Sequence, residues 1–355
     1  MVKRGLKVLT VLMVCLMVIS VFAACQSREV KQTDNQQPLQ DKEEKQPKEQ
    51  ESKTQENEEK NPLIQTETDD AVICIDSSGE EVTIPKKPQR AIVAHTSMLD
   101  LWYMSGGKAV GRPESKKLIN VPEEAKDIEI IGHVTAPNTE KVLSLQPDLV
   151  VLRAGMDKHM ALKEVLDQSN IPTILLGYEN YSDFENILDL FASINNDKNV
   201  IENIVPHIKE NVSRILNKCP QNNHPKVLVL FASSRSVSCE TPEAHVGKMV
   251  ELLGGKNIVA DFPTQGKTRI QFSMEKIIEK DPDIILIATM GSMENIKKRM
   301  KEDIESNQAW AGLRAVKEER VHYLPSEFFL YKPNTKYPEA FEYLAKLLYP
   351  EVFKP

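Results

Sequence analysis

The phrase EKVLSLQPDLVVL, residues 140–152, returns as EKIIEKDPDIILI at residues 275–287. Glu-Lys, two apolar residues, Pro-Asp and four more apolar residues fall in the same register, 135 residues apart. A second pair precedes it in each half: YMSGGKAV at 103–110 and ELLGGKNIV at 251–259. Gly-Gly ends a helix. The residue before proline leaves the helical region, and the apolar run after Pro-Asp makes a buried strand. Each half therefore reads strand, helix ending in Gly-Gly-Lys, strand, Glu-Lys helix, Pro-Asp, strand. One ordered unit written twice constrains the fold more than any single propensity.

Strands alternating with helices predict parallel sheets with crossovers. VICIDSSGEEVTIP reads as a β-hairpin before the first unit, and KVLVLF opens the second. Between them, SDFENILDLFASIN and NVIENIVPHIKENVSRILNK are two helical periods with no strand, and Pro206 should kink the longer one. The expected fold is α/β: two Rossmann-like lobes with parallel sheets, joined by a single long helix, with a ligand cleft between the lobes. The expected boundaries are an N-terminal lobe at 71–195, a connecting helix at 196–218 and a C-terminal lobe at 219–355.

The chain ahead of the lobes is different material. Lys3, Arg4 and Lys7 precede an apolar run ending in VFAAC, the pattern of an export signal over residues 1–24. Small residues directly before Cys25 resemble a bacterial lipoprotein processing box, with Phe22 in place of the usual Leu. That resemblance implies lipid on Cys25 and residence on the extracytoplasmic face of the cell membrane. Residues 26–70 lack aromatics and carry 7 basic against 13 acidic side chains. They cannot bury enough apolar surface to offset chain entropy, so residues 25–70 read as a lipidated cysteine and a disordered polar tether. Losing the three signal cations takes the formal charge from −7 to −10, which argues against nucleic acid as a partner. Cys74, Cys219 and Cys239 remain, an odd count without CxxC; one bridge or three buried thiols both fit.

The region from about Cys74 to Lys354 resembles the helical-linker class of substrate-binding proteins of ABC importers, which serves iron–siderophores, haem and cobalamin. The matching text is GEEVTIPKKPQRAIV, IGHVTAPNTEKVLSLQPDLVV, FSMEKIIEKDPDIIL and WAGLRAVKEERVHYL. The resemblance implies a monomeric, non-enzymatic receptor that delivers its ligand to a permease dimer. It also gives the doubled Glu a part: one acidic residue per lobe, Glu140 and Glu275, docks on arginine pockets of the permease. The plainer reading is a carboxylate placed favourably at a helix start.

Ligands of open α/β sheets sit beyond the carboxyl ends of the strands. That rule nominates His95, Ser97, Met98, Arg153, Met156, Tyr178, Ser234, Arg235, Met290, Tyr331 and Lys332, and the resemblance adds His133. Arg153 and Arg235 each follow an apolar strand, where a lone cation is costly unless an anion pairs with it. They point to a ferric siderophore as the ligand. Haem is the alternative, since HPKVLVL, VGKMVELLGGKNIV and MENIKKRM make the C-terminal half similar to haem-receptor lipoproteins of Gram-positive bacteria. Those clamp iron between an axial Met and an axial His, whose positions here hold Thr135 and Met290. A swapped pair, His133 with Met290, is then the candidate axial set. Cobalamin comes third. No resident cofactor is expected, and no G-x-S-x-G, H-E-x-x-H, C-x-x-C or P-loop suggests an enzyme. A structural surface lipoprotein is the remaining different-class reading.

Overall fold

A computed structural model describes residues 61–271 and 273–354. The expected signal (1–24), the lipidated Cys25 and the tether as far as residue 60 lie outside the described residues. Residues 61–70, read from composition as the end of the tether, are structured instead. Ile64–Glu67 pairs antiparallel with Ala71–Ile75, which pairs with Glu81–Pro85. Asn61 pins this start: its amide donates to the Asn186 carbonyl (2.9 Å) and the Asp189 carboxylate (2.8 Å).

The first half carries helices α1 (Thr96–Met104), α2 (Thr139–Ser144), α3 (Asp157–Gln168), α4 (Tyr181–Asn195) and α5 (Val205–Lys218). Its five-stranded sheet runs Thr173–Leu176, Leu149–Arg153, Ala91–Val93, Ala109–Arg112, Glu129–Ile130, all parallel. Leu149–Arg153 is buried along its whole length, as a strand covered on both faces must be. A π-helical turn, Val200–Ile204, leads into α5, and Pro206 sits in the first turn of α5. Proline has no N–H to donate, so the regular α-helix breaks where the sequence put the kink.

The second half carries α6 (His245–Leu252), α7 (Met274–Lys280), α8 (Met293–Met300), α9 (Arg314–Lys317), α10 (Ser326–Phe329) and α11 (Tyr337–Leu348). Its main sheet runs Arg269–Ile270, Val237–Glu240, Lys226–Ser233, Ile284–Met290, Val321–Tyr323, with Lys256–Asn257 also paired to Lys226–Ser233. It is mixed rather than purely parallel. The turn at 233–236 closes with the Ser236 carbonyl accepting from the Ser233 N–H (3.0 Å), and the chain folds straight back as an antiparallel strand.

The two written copies are also two built copies. Gly106 and Gly254 hold φ of +80° and +81°, the left-handed end of each helix. A Cβ on the next residue would strike Trp102 at 2.5 Å in one half and Val250 at 2.9 Å in the other. Pro-Asp fixes register as well as direction. The Asp148 carboxylate accepts from the Gln89 and Arg90 N–H groups (2.7 and 2.9 Å), and Asp283 accepts from Lys226 N–H (2.7 Å). Asp148 thus grips the two residues just ahead of the neighbouring strand Ala91–Val93, and Asp283 the first residue of Lys226–Ser233. The halves share an aromatic seam, in which Tyr181 and Phe184 meet Tyr337, both with ring centroids 4.9 Å apart, and Tyr181 meets Phe341 at 5.3 Å. Cys74, Cys219 and Cys239 are buried free thiols; burial pushes Cys74 and Cys239 up to about 12 and Cys219 to about 11.

Candidate functional site

In the second half the strand ends open onto a cavity of about 990 Å³. Met290 ends its strand, Gly291 turns the chain at φ +121°, Ser292 caps α8, and Met293 begins it. Met290 and Met293 remain 49% and 41% exposed, so both thioethers are available to a ligand. Tyr323, Leu330 and Tyr331 continue the wall, and Lys117 reaches it from the first half. A second cavity of about 510 Å³ adjoins at Ser326 and is polar, with Asp100, Asn120, Glu327, Lys332 and Lys336 in its lining.

The structure divides the nominated residues. Met290 and Tyr331 line the larger cavity and Lys332 the smaller. Met98 is fully buried in the core, a correction: the residue past a strand end turned its side chain inward as α1 began. Tyr178 is also buried, its hydroxyl donating to Asn334 Oδ1 at 2.6 Å. Ser97 is buried and accepts from Asn120 Nδ2 (3.2 Å). Ser234 and Arg235 are exposed on the hairpin turn, next to Ser233, the register partner of Met290. Met156, half-buried, caps α3, and His133 is exposed on the small hairpin Gly132–His133/Ala136–Pro137. Neither lines either cavity.

Arg153 overturns the argument made for it. It is buried, but its cation is met within the chain: the guanidinium pairs with Glu179 and donates to the carbonyls of Tyr178 (3.2 Å) and Leu176 (3.3 Å). Burial raises the Glu179 carboxyl, but Arg153 and Lys332 outweigh it and hold the group below its ordinary value. Lys332 donates to the Glu179 carbonyl (2.6 Å) and lies 5.3 Å from the Tyr178 ring centroid. Burial lowers Lys332 to about 8, with Glu179 opposing.

Two histidines that sequence reasoning missed or misplaced are structural. His159 accepts the Arg153 N–H on Nδ1 (3.0 Å) and donates from Nε2 to the Val134 carbonyl (2.8 Å), tying the His133 hairpin to the sheet. His245 donates from Nε2 to the Phe328 carbonyl (2.8 Å). Its Nδ1, like that of His95, is buried without a partner among the described residues. Burial first, then Arg153, lowers His95 to about 3; burial first, then Lys332, lowers His245 to about 3. Below the unfolded value the unfolded chain takes up protons that the folded one refuses. Stability should therefore fall as pH drops from about 6.5 toward 3, by about 2 kcal/mol per histidine at pH 5. Urea midpoints taken near neutrality and near that acid point should show the loss in the parent. They should converge in His95→Gln/His245→Gln; an equal acid loss in both proteins would refute the assignment.

Lys117, Asn120, Met293 and Tyr323 were not nominated. Lys117 and Asn120 belong to the long connection at 113–128, whose length was the available signal. Met293 follows Met-Gly-Ser at a strand end, where the same rule that gave Met290 would have found it.

Comparison with known proteins places the fold. A family model described as periplasmic binding protein matches residues 92–328. The high-affinity heme uptake system protein IsdE of Staphylococcus aureus is 27% identical over 278 residues, covering 78% of this chain and 92% of the relative. The crystal structure of S. aureus IsdE complexed with heme superposes with a TM-score of 0.64 at 25% identity, over 73% of this chain and 98% of the other. An ABC transporter substrate-binding protein from Listeria monocytogenes EGD-e gives 0.64 at 23% identity, over 75% and 100%.

Proposed function

The chain belongs to the periplasmic binding protein family, as a substrate-binding component of an ABC importer of the iron, haem and cobalamin type, and from that premise we propose that its ligand is haem. Proteins of this family are transport components, not enzymes. The observation that carries the ligand is the larger cavity. Thioethers and tyrosines form its wall, which suits a broad apolar ring. The internal pairing of Arg153 removes the main reason for an anionic, oxygen-rich chelate. The relative's name and the heme in its crystal structure support the same reading.

Met290, in the cavity wall, is one proposed axial ligand; His133, the other, lies on the Gly132–His133 hairpin outside the cavity lining and would have to reach the iron from there. His133 Nδ1 accepts from the Thr135 N–H (3.3 Å) and lies 2.9 Å from Thr135 Oγ1. With Nδ1 accepting, the proton sits on Nε2. Ligation through Nε2 moves it to Nδ1, where Thr135 Oγ1 can accept it. Adding hemin should produce a protein-bound Soret band, lost in Met290→Ala and in His133→Ala. Hemin that keeps its free spectrum would overturn haem; a bound band unchanged in both variants would overturn the axial pair.

A ferric siderophore is the second reading. Arg235 favours it, exposed beside the strand ends and without an ion pair among the described residues. Ferric-siderophore binding lost in Arg235→Gln, with no hemin binding, would establish it. The proposal extends to a monomeric protein held by lipid on Cys25 at the extracytoplasmic face of the cell membrane, delivering to a permease through Glu140 and Glu275.

A further inference from the structure

The larger cavity has an uneven charge. Of its 13 lining residues none is acidic and one is cationic, and that one, Lys117, is the only lining residue from the first half of the fold. Lys117 is exposed, and its ammonium has no hydrogen bond or ion pair among the described residues. The segment that brings it there is under backbone strain. Leu118 and Asn120 hold φ of +51° and +55°, a left-handed conformation that disfavours leucine. Strain of this kind persists only where the surroundings fix it. Here Asn120 is the anchor, donating to Ser97 Oγ (3.2 Å) and to the Lys332 carbonyl (3.0 Å), so the segment is tied to both halves.

We propose that Lys117 is the anion-recognising residue of this cavity, so that the ligand is an apolar ring carrying at least one anionic group, met by the first half while the ring lies on the second. An unpaired cation at the mouth of an apolar wall has no carboxylate to neutralise it, and an anion on the ligand would supply one. Lys117 is itself exposed, so the pair is a surface contact of modest worth. The inference rests on this cavity being the ligand site, but not on the ligand being haem.

The test compares two fluorescent probes that share one ring system, anilinonaphthalene sulfonate and the uncharged phenylnaphthylamine, on the purified protein. The sulfonate should bind about threefold tighter than its neutral counterpart. Lys117→Gln should erase that preference and leave the neutral probe's affinity unchanged, and Lys117→Arg should keep it. Equal affinities in the parent, equal weakening of both probes by Lys117→Gln, or binding of neither probe would each overturn the proposal. A hemin titration of the same samples keeps the two readings apart. Sulfonate preference without hemin binding removes haem and leaves Lys117 standing. Hemin binding without the preference does the reverse.

Discussion

The double variant Glu140→Ala/Glu275→Ala is expected to bind ligand as tightly as the parent and to support almost no import. Each glutamate is the second residue of its helix, exposed, and without an ion pair or hydrogen bond from its carboxylate among the described residues. Neither is needed to cap its helix. Asn138 accepts from the Lys141 N–H at 2.9 Å, and Ser273 accepts from the Lys276 N–H at 3.3 Å. What remains of a structural role is the helix dipole, about 0.3–1 kcal/mol per carboxylate. A carboxylate seated on arginine is worth about 1.5–3 kcal/mol. Losing two such contacts should weaken docking by about 10²–10⁴-fold. Uptake by cells carrying the variant, with ligand titration of the purified protein, separates the two roles. Undiminished uptake would leave the glutamates as helix-start residues only.

How much of this was legible in the sequence follows from the range of each interaction. The repeat was readable because its parts act locally. Gly-Gly ends a helix and Pro-Asp begins a strand through the residues beside them, and both halves do so in the same way. What Asp148 and Asp283 do across the sheet, gripping residues 89–90 and 226, was not readable, since nothing in the phrase names the neighbouring strand. The strand-end rule put Met290 and Tyr331 where a cavity wall lies, but Met98 and Tyr178 turned into the core. It fixes how far along the chain a residue lies, not which way its side chain turns. Arg153 failed for another reason: its partner, Glu179, comes from the next strand's loop, 26 residues on. The antiparallel strand Val237–Glu240 was lost because a serine-rich turn looks the same whether it ends a sheet or folds it back.

Asn334 shows the same limit at its strongest, since all of its work is done over long separations. Asn334→Ala is expected to cost about 3–5 kcal/mol of stability. The residue is 1% exposed and holds φ +52°, a conformation asparagine tolerates and alanine does not. Its amide donates to the Ser97 carbonyl (3.1 Å) and the Asp100 carboxylate (2.6 Å) and accepts from the Tyr178 hydroxyl (2.6 Å). All three partners belong to the first half, so one side chain from the second half satisfies three polar groups across the junction. Truncation strands a fully buried tyrosine hydroxyl and a carboxylate whose pKa burial already raises, against the bond from Asn334. Tyr178→Phe removes only one donor and should cost about 1 kcal/mol. Asn334→Asp keeps the shape but sets a second carboxylate against Asp100, so it should be at least as damaging as alanine. Urea unfolding of the two single variants and of Asn334→Ala/Tyr178→Phe closes a cycle. The double variant should be less destabilised than the sum of the singles, because the phenylalanine removes the hydroxyl that alanine would orphan. Strict additivity would mean that the two side chains act independently.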